Sequence, residues 1–411
     1  MKIHTSNKEK VKTILDNTTI QGSFWDYTLK YELDNSYLKF DDLIDDDYFN
    51  MPEFKWSDWL HEKYVFDVQL NTEDDRTSFF NAFDHKPTIL NYIHYELDDH
   101  PLKEYEYEFT EKISPKYPIY VITKGRWEKT LTIDTLEGMG IDFNICVEPS
   151  EYDNYISNPK IDKNKVIKLP ENFSERKQGG IPVRNFVWQH SVDNGYKKHW
   201  IIDDNIDGFY RWNENVQKRV KDGVVFRVME DYSDMFKNLG LVSCQYASFV
   251  PGIDTGRGAV IRNTRTYSCI LINTELLDKR LEERWRGTYN EDTDLTLRVL
   301  STGDLCTANF NSILSGKQTT GTMKGGNTTT IYEFGEDKEE NNKFKGLQKK
   351  FDELKENWGS IVKFTNNRHK DGRPHHHISY TRHFKQPLIL KDGIKREPKV
   401  NNYNMKLVKQ K

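Results

Sequence analysis

Between residues 117 and 206, short apolar runs alternate with stretches of helical spacing, and each run ends on polar residues. The runs are Tyr117-Pro118-Ile119-Tyr120-Val121-Ile122, Phe143-Asn144-Ile145-Cys146-Val147, Lys165-Val166-Ile167-Lys168-Leu169-Pro170 and His199-Trp200-Ile201-Ile202-Asp203-Asp204-Asn205-Ile206. Strands separated by helices imply βαβ units, and βαβ units imply a mostly parallel sheet covered by helices. The first helix is expected over 129–139 and the second over 182–194. The second has Pro182 near its start, Val183, Val187 and His190 at spacings of three and four, and Gly195 at its end. Further strands are expected at 239–251, 267–274 and 306–312. A helix is expected over 292–301, with acids in its first turn and Arg298 toward its end, as the macrodipole favours. No fixed-period repeat is present. The fold class is therefore α/β, a Rossmann-like, mostly parallel mixed sheet flanked by helices.

The chain has 411 residues, enough for a large core domain with additions. Its net charge of −4 hides an asymmetry. Residues 1–115 hold 25 acids against 12 bases, and the remainder holds 39 acids against 48 bases. We divide the chain into an acidic accessory region without a catalytic signature (1–112), an α/β core (113–330), and a helix with a basic extension packing on the core (331–411). The extension is read as a charged surface helix over 333–358, the cluster His375-His376-His377, and a tail bearing Lys385, Lys391, Lys395, Arg396, Lys399, Lys406 and Lys409. A basic catalytic part suits a polyanionic partner such as a sugar nucleotide or a nucleic acid. No run of about 18 apolar residues occurs, so no membrane span is expected. The start lacks a secretory pattern, and the four cysteines, Cys146, Cys244, Cys269 and Cys306, are far apart in apolar surroundings. A cytoplasmic protein with reduced core thiols is expected.

Open α/β sheets bind ligands beyond the carboxyl ends of their strands. Asp203-Asp204-Asn205 follows the fourth strand and is the strongest constellation in the chain. Carboxylates at such a position can hold Mg or Mn on a diphosphate, and the metal neutralises the leaving group as a glycosidic bond breaks. On an extended backbone Asp203 and Asn205 face the same side. The same triplet also reads as a plain strand-ending turn. Thr123, Lys124 and Arg126 follow the first strand, where a nucleotide would lie, and Glu148 follows the second, where it could accept from a base or ribose. Arg184-Asn185 opens the helix before the central strand; arginine suits phosphate, and Arg184 could equally hold Asp203 or Asp204 in place. The small-residue loop 316–327 offers Lys317 and Lys324 to phosphates but lacks the order of a P-loop.

Asn290-Glu291-Asp292-Thr293-Asp294 reads both as a helix N-terminus and as the source of a general base, Asp292 or Glu291, for an acceptor hydroxyl. Trp285 with Arg286 reads as an acceptor platform, and Trp285 equally as a core anchor. His375 and His377 read as candidate imidazole ligands to the metal or as an exposed cluster. Together these features point to a glycosyltransferase that uses a nucleotide sugar. A sugar nucleotidyltransferase is disfavoured, since its glycine-rich loop signature is absent after Ile122.

The segments 117–127, 147–152 (VEPSEY), 180–185 with Arg184-Asn185, 199–206 (HWIIDDNI) and the Glu291-Asp292 helix start occur in this order. In them the chain resembles the GT-A glycosyltransferases associated with TET-type dioxygenases in bacteriophages, over roughly residues 115–330. HWIIDDNI is the most specific part. The resemblance implies a GT-A fold and sugar transfer from a nucleotide donor, a UDP-sugar, onto a hydroxymethylated pyrimidine in DNA, 5-hydroxymethylcytosine first. It implies that Asp203 and Asn205 match the metal and diphosphate motif, with Asp204 beside them on the donor, and that Asp292 or Glu291 matches the acceptor-side base. This chain departs from the usual Asp-x-Asp, because Asn205 stands where a second carboxylate is common. A protein or glycan acceptor, or a non-catalytic nucleotide- or DNA-binding module, are the alternatives.

Overall fold

The computed structural model describes residues 2–5, 8–17, 24–29, 63–68, 73–83, 92–94, 105–109, 111–213, 216–249, 260–318, 325–326, 345–365, 375–394 and 405–409. The N-terminal part contributes β1 (Lys2–Thr5), α1 (Lys8–Asp16), β2 (Phe24–Leu29), β3 (Lys63–Val68), α2 (Glu73–Ala82) and β4 (Tyr92–His94). These four strands form a sheet in the order β2-β3-β1-β4. Next comes β5 (Tyr105–Phe109), which pairs antiparallel with the last strand, Met405–Lys409.

The core holds β6 (Ile119–Ile122), α3 (Leu131–Gly138), β7 (Asn144–Val147), α4 (Tyr152–Ile156), β8 (Val166–Lys168), α5 (Ile181–Asp193), β9 (His199–Asp203), β10 (Ile206–Asn213), β11 (Val216–Val220), α6 (Val224–Met235) and β12 (Leu239–Tyr246). It continues with β13 (Val260–Arg262), β14 (Cys269–Ile272), α7 (Thr274–Leu277), α8 (Glu291–Ser301) and β15 (Cys306–Lys317). The sheet runs β11-β10-β15-β12-β14-β9-β6-β7-β8, with β13 paired to β15. β6, β7, β8 and β9 are mutually parallel, β12 is parallel to β15, and β14 is antiparallel to both its neighbours. The mixed, mostly parallel α/β sheet is the one the sequence alternation demands.

Strand periodicity explains the layering. Side chains alternate across a strand, so Ile119, Val121, Trp200 and Ile202 face one layer with α3 and α6. Tyr120, Ile201 and Ile270 face the other, with Val187 and Trp188 of α5 and Leu295 and Val299 of α8. The buried carboxylate of Glu230 on α6 accepts from Trp200 Nε1 (2.8 Å) and from the backbone N–H groups of Lys116 (2.7 Å) and Tyr117 (3.2 Å), fixing how the chain enters β6. All four cysteines are free and buried.

Two expectations change. The stretch 199–206 is not one strand: β9 stops at Asp203, Asp204-Asn205 turn, and Ile206 starts β10, which pairs with β15. The turn is pinned by Thr132 of α3, whose Oγ1 donates to the Asp203 carbonyl (2.7 Å) and accepts from Ile206 N–H (2.9 Å). Residues 207–238, to which sequence reasoning assigned nothing, supply the hairpin β10–β11 and the buried helix α6.

After the core come α9 (Lys345–Trp358), β16 (Val362–Thr365), β17 (His375–Ile378), α10 (Tyr380–His383) and β18 (Met405–Lys409). Leu354, Val362, Ile378 and Phe384 form an apolar cluster with Leu297 and Leu300 of α8. The charged helix expected over 333–358 therefore carries a docking face; its first part, 333–344, lies outside the described residues. So do Lys324 and the tail residues Lys395, Arg396 and Lys399. No helix among the described residues is long and apolar enough to cross a membrane.

Candidate active site

The carboxyl ends of β6, β7, β9, β12 and β15 meet the amino end of β14 along one edge, because β14 runs the other way. A cleft of about 290 Å³ opens there. Thr123, Lys124, Arg126, Glu148, Arg184, Asp203, Asp204, Asn205, Glu291, Asp292 and Lys317 all line it.

Asp203, at the end of β9, accepts from Arg184 Nη2 on Oδ1 and from Lys317 Nζ on Oδ2, each at 2.9 Å. Burial opposes its charge, yet Lys317 and Arg184 outweigh burial and hold the carboxyl well below the usual carboxylate range. Lys317 Nζ also donates to Tyr246 Oη (3.1 Å) and Ser268 Oγ. Burial disfavours the ammonium, but Asp203 more than offsets it and raises the lysine above its ordinary value. Arg184 reaches Glu291 Oε1 as well (3.2 Å) and lies over the Trp285 ring at 4.9 Å.

Asp204 turns the other way. It accepts from Thr123 Oγ1 (2.9 Å), from Lys124 N–H (3.4 Å) and from Arg126 Nη1. Tyr155 Oη accepts from Arg126 N–H (3.2 Å) and bonds Thr123 Oγ1 (2.7 Å), so the turn after β6 is built around Asp204. Burial dominates here and pushes the Asp204 carboxyl up to about 6 in spite of Arg126. Glu148 accepts from Ser174 N–H (2.6 Å) and Ser174 Oγ (2.7 Å), so it organises the Phe173–Arg176 turn at the rim.

Gly325 and Gly326 lie across this turn. Gly326 N–H donates to Lys124 O (2.7 Å). Gly125 and Gly325 both have positive φ, and a Cβ on Gly325 would lie 2.3 Å from Gly125 O. Only glycine permits that approach.

On the opposite wall, both oxygens of Asp292 accept from Arg265 Nη2 (2.9 and 3.2 Å), and Oδ1 also accepts from Thr293 N–H (2.6 Å). Burial opposes the Asp292 charge, but Arg265 prevails and the carboxyl sits below its ordinary value. The extension shapes this wall. Glu353 on α9 accepts from Thr288 and Tyr289 N–H (2.6 and 3.1 Å), and Asn290 Nδ2 donates to Lys350 O (3.0 Å). Lys350 lines the cleft, and burial pulls its ammonium down to about 8.

Three expected site residues lie elsewhere. Asn185 and Trp285 clasp each other, Asn185 Nδ2 to Trp285 O (2.9 Å) and Trp285 N–H to Asn185 Oδ1 (3.0 Å). Trp285 is buried beneath Arg184, so it anchors that guanidinium and offers no open ring to an acceptor. Arg286 pairs with Asp294 and Glu283. All three face a neighbouring groove beside Phe173. Sequence reasoning missed Tyr155, Ser174, Tyr246, Arg265, Ser268 and Lys350. Tyr246 and Ser268 fell inside the strands expected at 239–251 and 267–274, but the observed strands end at Tyr246 and begin at Cys269, which is what brings both residues to the edge.

The expected metal site of Asp203, Asn205, His375 and His377 is not assembled. A hard divalent cation needs oxygen ligands at about 2.0–2.6 Å. Both oxygens of Asp203 carry a lysine and an arginine, and those of Asp204 serve Arg126, Thr123 and Lys124. Asn205 leaves the extended backbone for the turn, and its Nδ2 donates to Gln318 O (2.7 Å). Its buried Oδ1 has no partner among the described residues, and one amide oxygen is not a cation site. His375 and His377 belong to β17, where His375 stacks on His376 and His377 is exposed. His376 is the histidine near Arg265 and Asp292, and burial lowers it to about 4. Among the described residues, no three His, Cys, Asp or Glu side chains come together to hold a metal ion. These residues do not fit a resident divalent cation.

No curated protein matches the chain. A family model for the TET-associated glycosyltransferases matches residues 117–326, which run from the strand that opens the cleft to the glycines that close over its first turn. That match spans a little over half of the chain and takes in all but the extension's share of the cleft, so this protein belongs to the TET-associated glycosyltransferase family.

Proposed function

We propose that the protein moves a sugar from a nucleotide sugar, a UDP-sugar, onto the hydroxymethyl group of a modified pyrimidine in DNA, 5-hydroxymethylcytosine first. The observation that carries this reading is the cleft at the strands' carboxyl edge, lined almost wholly by the glycosyltransferase family match, where basic side chains from five separate segments converge. In it the nucleoside lies over the turn Thr123–Lys124–Arg126, with Glu148 at its rim. The diphosphate lies toward Arg184 and Lys317. Asp292, kept ionised and oriented by Arg265, takes the acceptor proton as the sugar leaves the diphosphate, with Glu291 beside it. A base inside a duplex is hard to reach, so the target nucleotide is turned out of the stack or its hydroxymethyl group is approached through the major groove.

The test is incubation with a panel of nucleotide sugars and DNA containing either cytosine or 5-hydroxymethylcytosine, followed by mass analysis of the nucleosides. One added sugar on the hydroxymethylated base, and none on cytosine, is expected. Transfer to peptide or saccharide acceptors alone would move the assignment to those acceptors. No transfer and no donor hydrolysis with any donor, with or without Mn, would remove it.

A further inference from the structure

We propose that Lys317 and Arg184 do for the donor's diphosphate what a divalent cation does in a metal-dependent site, so that the donor binds this protein without metal. The proposal rests on the reading of the cleft as a donor site.

Four observations carry it. First, the two cations share one carboxylate, each 2.9 Å from a different oxygen of Asp203. A metal on Asp203 would have to displace one of them and would stand about 3–4 Å from the other, where like charges repel by several kcal/mol in a protein setting. Second, Lys317 is fixed. Its ammonium has three donors, and Asp203, Ser268 and Tyr246 take all three. It is a point charge already in place, which saves the cost of ordering it on binding. Third, Arg184 is buried on Trp285, and its Nε has no partner among the described residues. Fourth, the charge balance has the sign an anion needs. The described lining carries six bases (Lys124, Arg126, Arg184, Arg265, Lys317 and Lys350) against five acids (Glu148, Asp203, Asp204, Glu291 and Asp292). Mg or Mn on a diphosphate is held by one or two carboxylates together with the phosphates, and here the oxygens of Asp203 and Asp204 already accept from Arg184, Lys317, Arg126, Thr123 and Lys124. The role of Asp203 then changes: it holds the two cations together and ligates nothing.

The experiment is calorimetric titration of the full-length protein with UDP, GDP, ADP and dTDP in turn, in buffer with EDTA and in buffer with Mn. The expected result is a nucleoside diphosphate whose Kd agrees within about threefold between the two buffers. Lys317→Ala should weaken that nucleotide at least tenfold while leaving the affinity for the parent nucleoside within about twofold, a split that general damage to the fold does not produce. If Lys317→Ala does not fold, the wild-type comparison decides alone. Binding seen only with Mn overturns the proposal and leaves the donor-site reading standing. Equal loss of nucleotide and nucleoside in a folded Lys317→Ala protein overturns the role of Lys317. Failure of every nucleoside diphosphate to bind in either buffer overturns both the proposal and the donor-site reading.

Discussion

The two walls of the cleft each set an arginine on a half-buried aspartate, with opposite results. Arg126 meets Asp204 and Arg265 meets Asp292. Burial is the largest influence on both carboxyls and works against their charge. Asp292 still stays low, because Arg265 spans both oxygens and the helix start adds the Thr293 N–H. Asp204 rises to about 6, because the charge of its neighbour Asp203 adds to burial. An arginine contact alone therefore does not fix where an aspartate titrates; a like charge next to it counts as well. Asp204 is committed to the turn after β6 by Arg126, Thr123 and Lys124, which leaves Asp292 as the acceptor-side carboxylate of the proposed reading, a base that Arg265 orients and also weakens.

The sharpest way to break the comparison is Asp292→Asn. Loss of a general base costs about 10²–10⁴-fold in rate, so transfer should fall by that factor while nucleotide affinity stays within about twofold. A matching loss of nucleotide affinity would place Asp292 on the donor wall. Next in size is Arg126→Met, which leaves Asp204 half-buried without its cation and should destabilise the fold by about 3 kcal/mol at pH 8. The cost should shrink at pH 5, where Asp204 carries a proton. Folding raises the Asp204 pKa, so its contribution to stability is greatest in acid and is lost as pH rises toward and through about 6. Asp203, held low, behaves in the opposite sense: its contribution is present above the ordinary carboxylate range and is lost only in stronger acid. Asp204→Asn should therefore remove the decline in melting temperature between pH 4 and pH 6 and leave the acid limb. The smallest effect should come from Trp358→Phe, which deletes the hydrogen bond from α9 to Asp294 (2.9 Å) and should cost about 1 kcal/mol. A larger loss of transfer than of stability would show that the extension sets the acceptor wall.

The same contrast explains what was legible in the sequence. Parallel strands place their carboxyl ends along one edge, so Thr123, Arg126, Glu148 and Asp203 announce themselves as polar residues after apolar runs. Arg184 is legible through the proline-started helix before β9, and the α8 start through its cluster of acids. Arg265 and Ser268 precede a strand that runs backwards, and nothing local distinguishes that strand's direction. Lys350 and Glu353 lie on a helix whose composition reads as plain surface, and only docking on Leu297 and Leu300 brings them to the cleft. Asn205 was misplaced because the alternation rule was carried two residues past the strand's last ladder contact, at Asp203. Trp285 carried two readings, and burial under Arg184 selects the core anchor.

The central claim is that the edge between β6, β9 and β15 holds a nucleoside diphosphate. A crystal structure of the protein soaked with the diphosphate that binds, grown without divalent metal, tests it most directly. The account predicts the nucleoside against Thr123–Arg126, the diphosphate within hydrogen-bond reach of Arg184, and the Lys317 ammonium close beside it as a point charge. A nucleotide bound in any other place, or phosphates turned away from those two side chains, would contradict it.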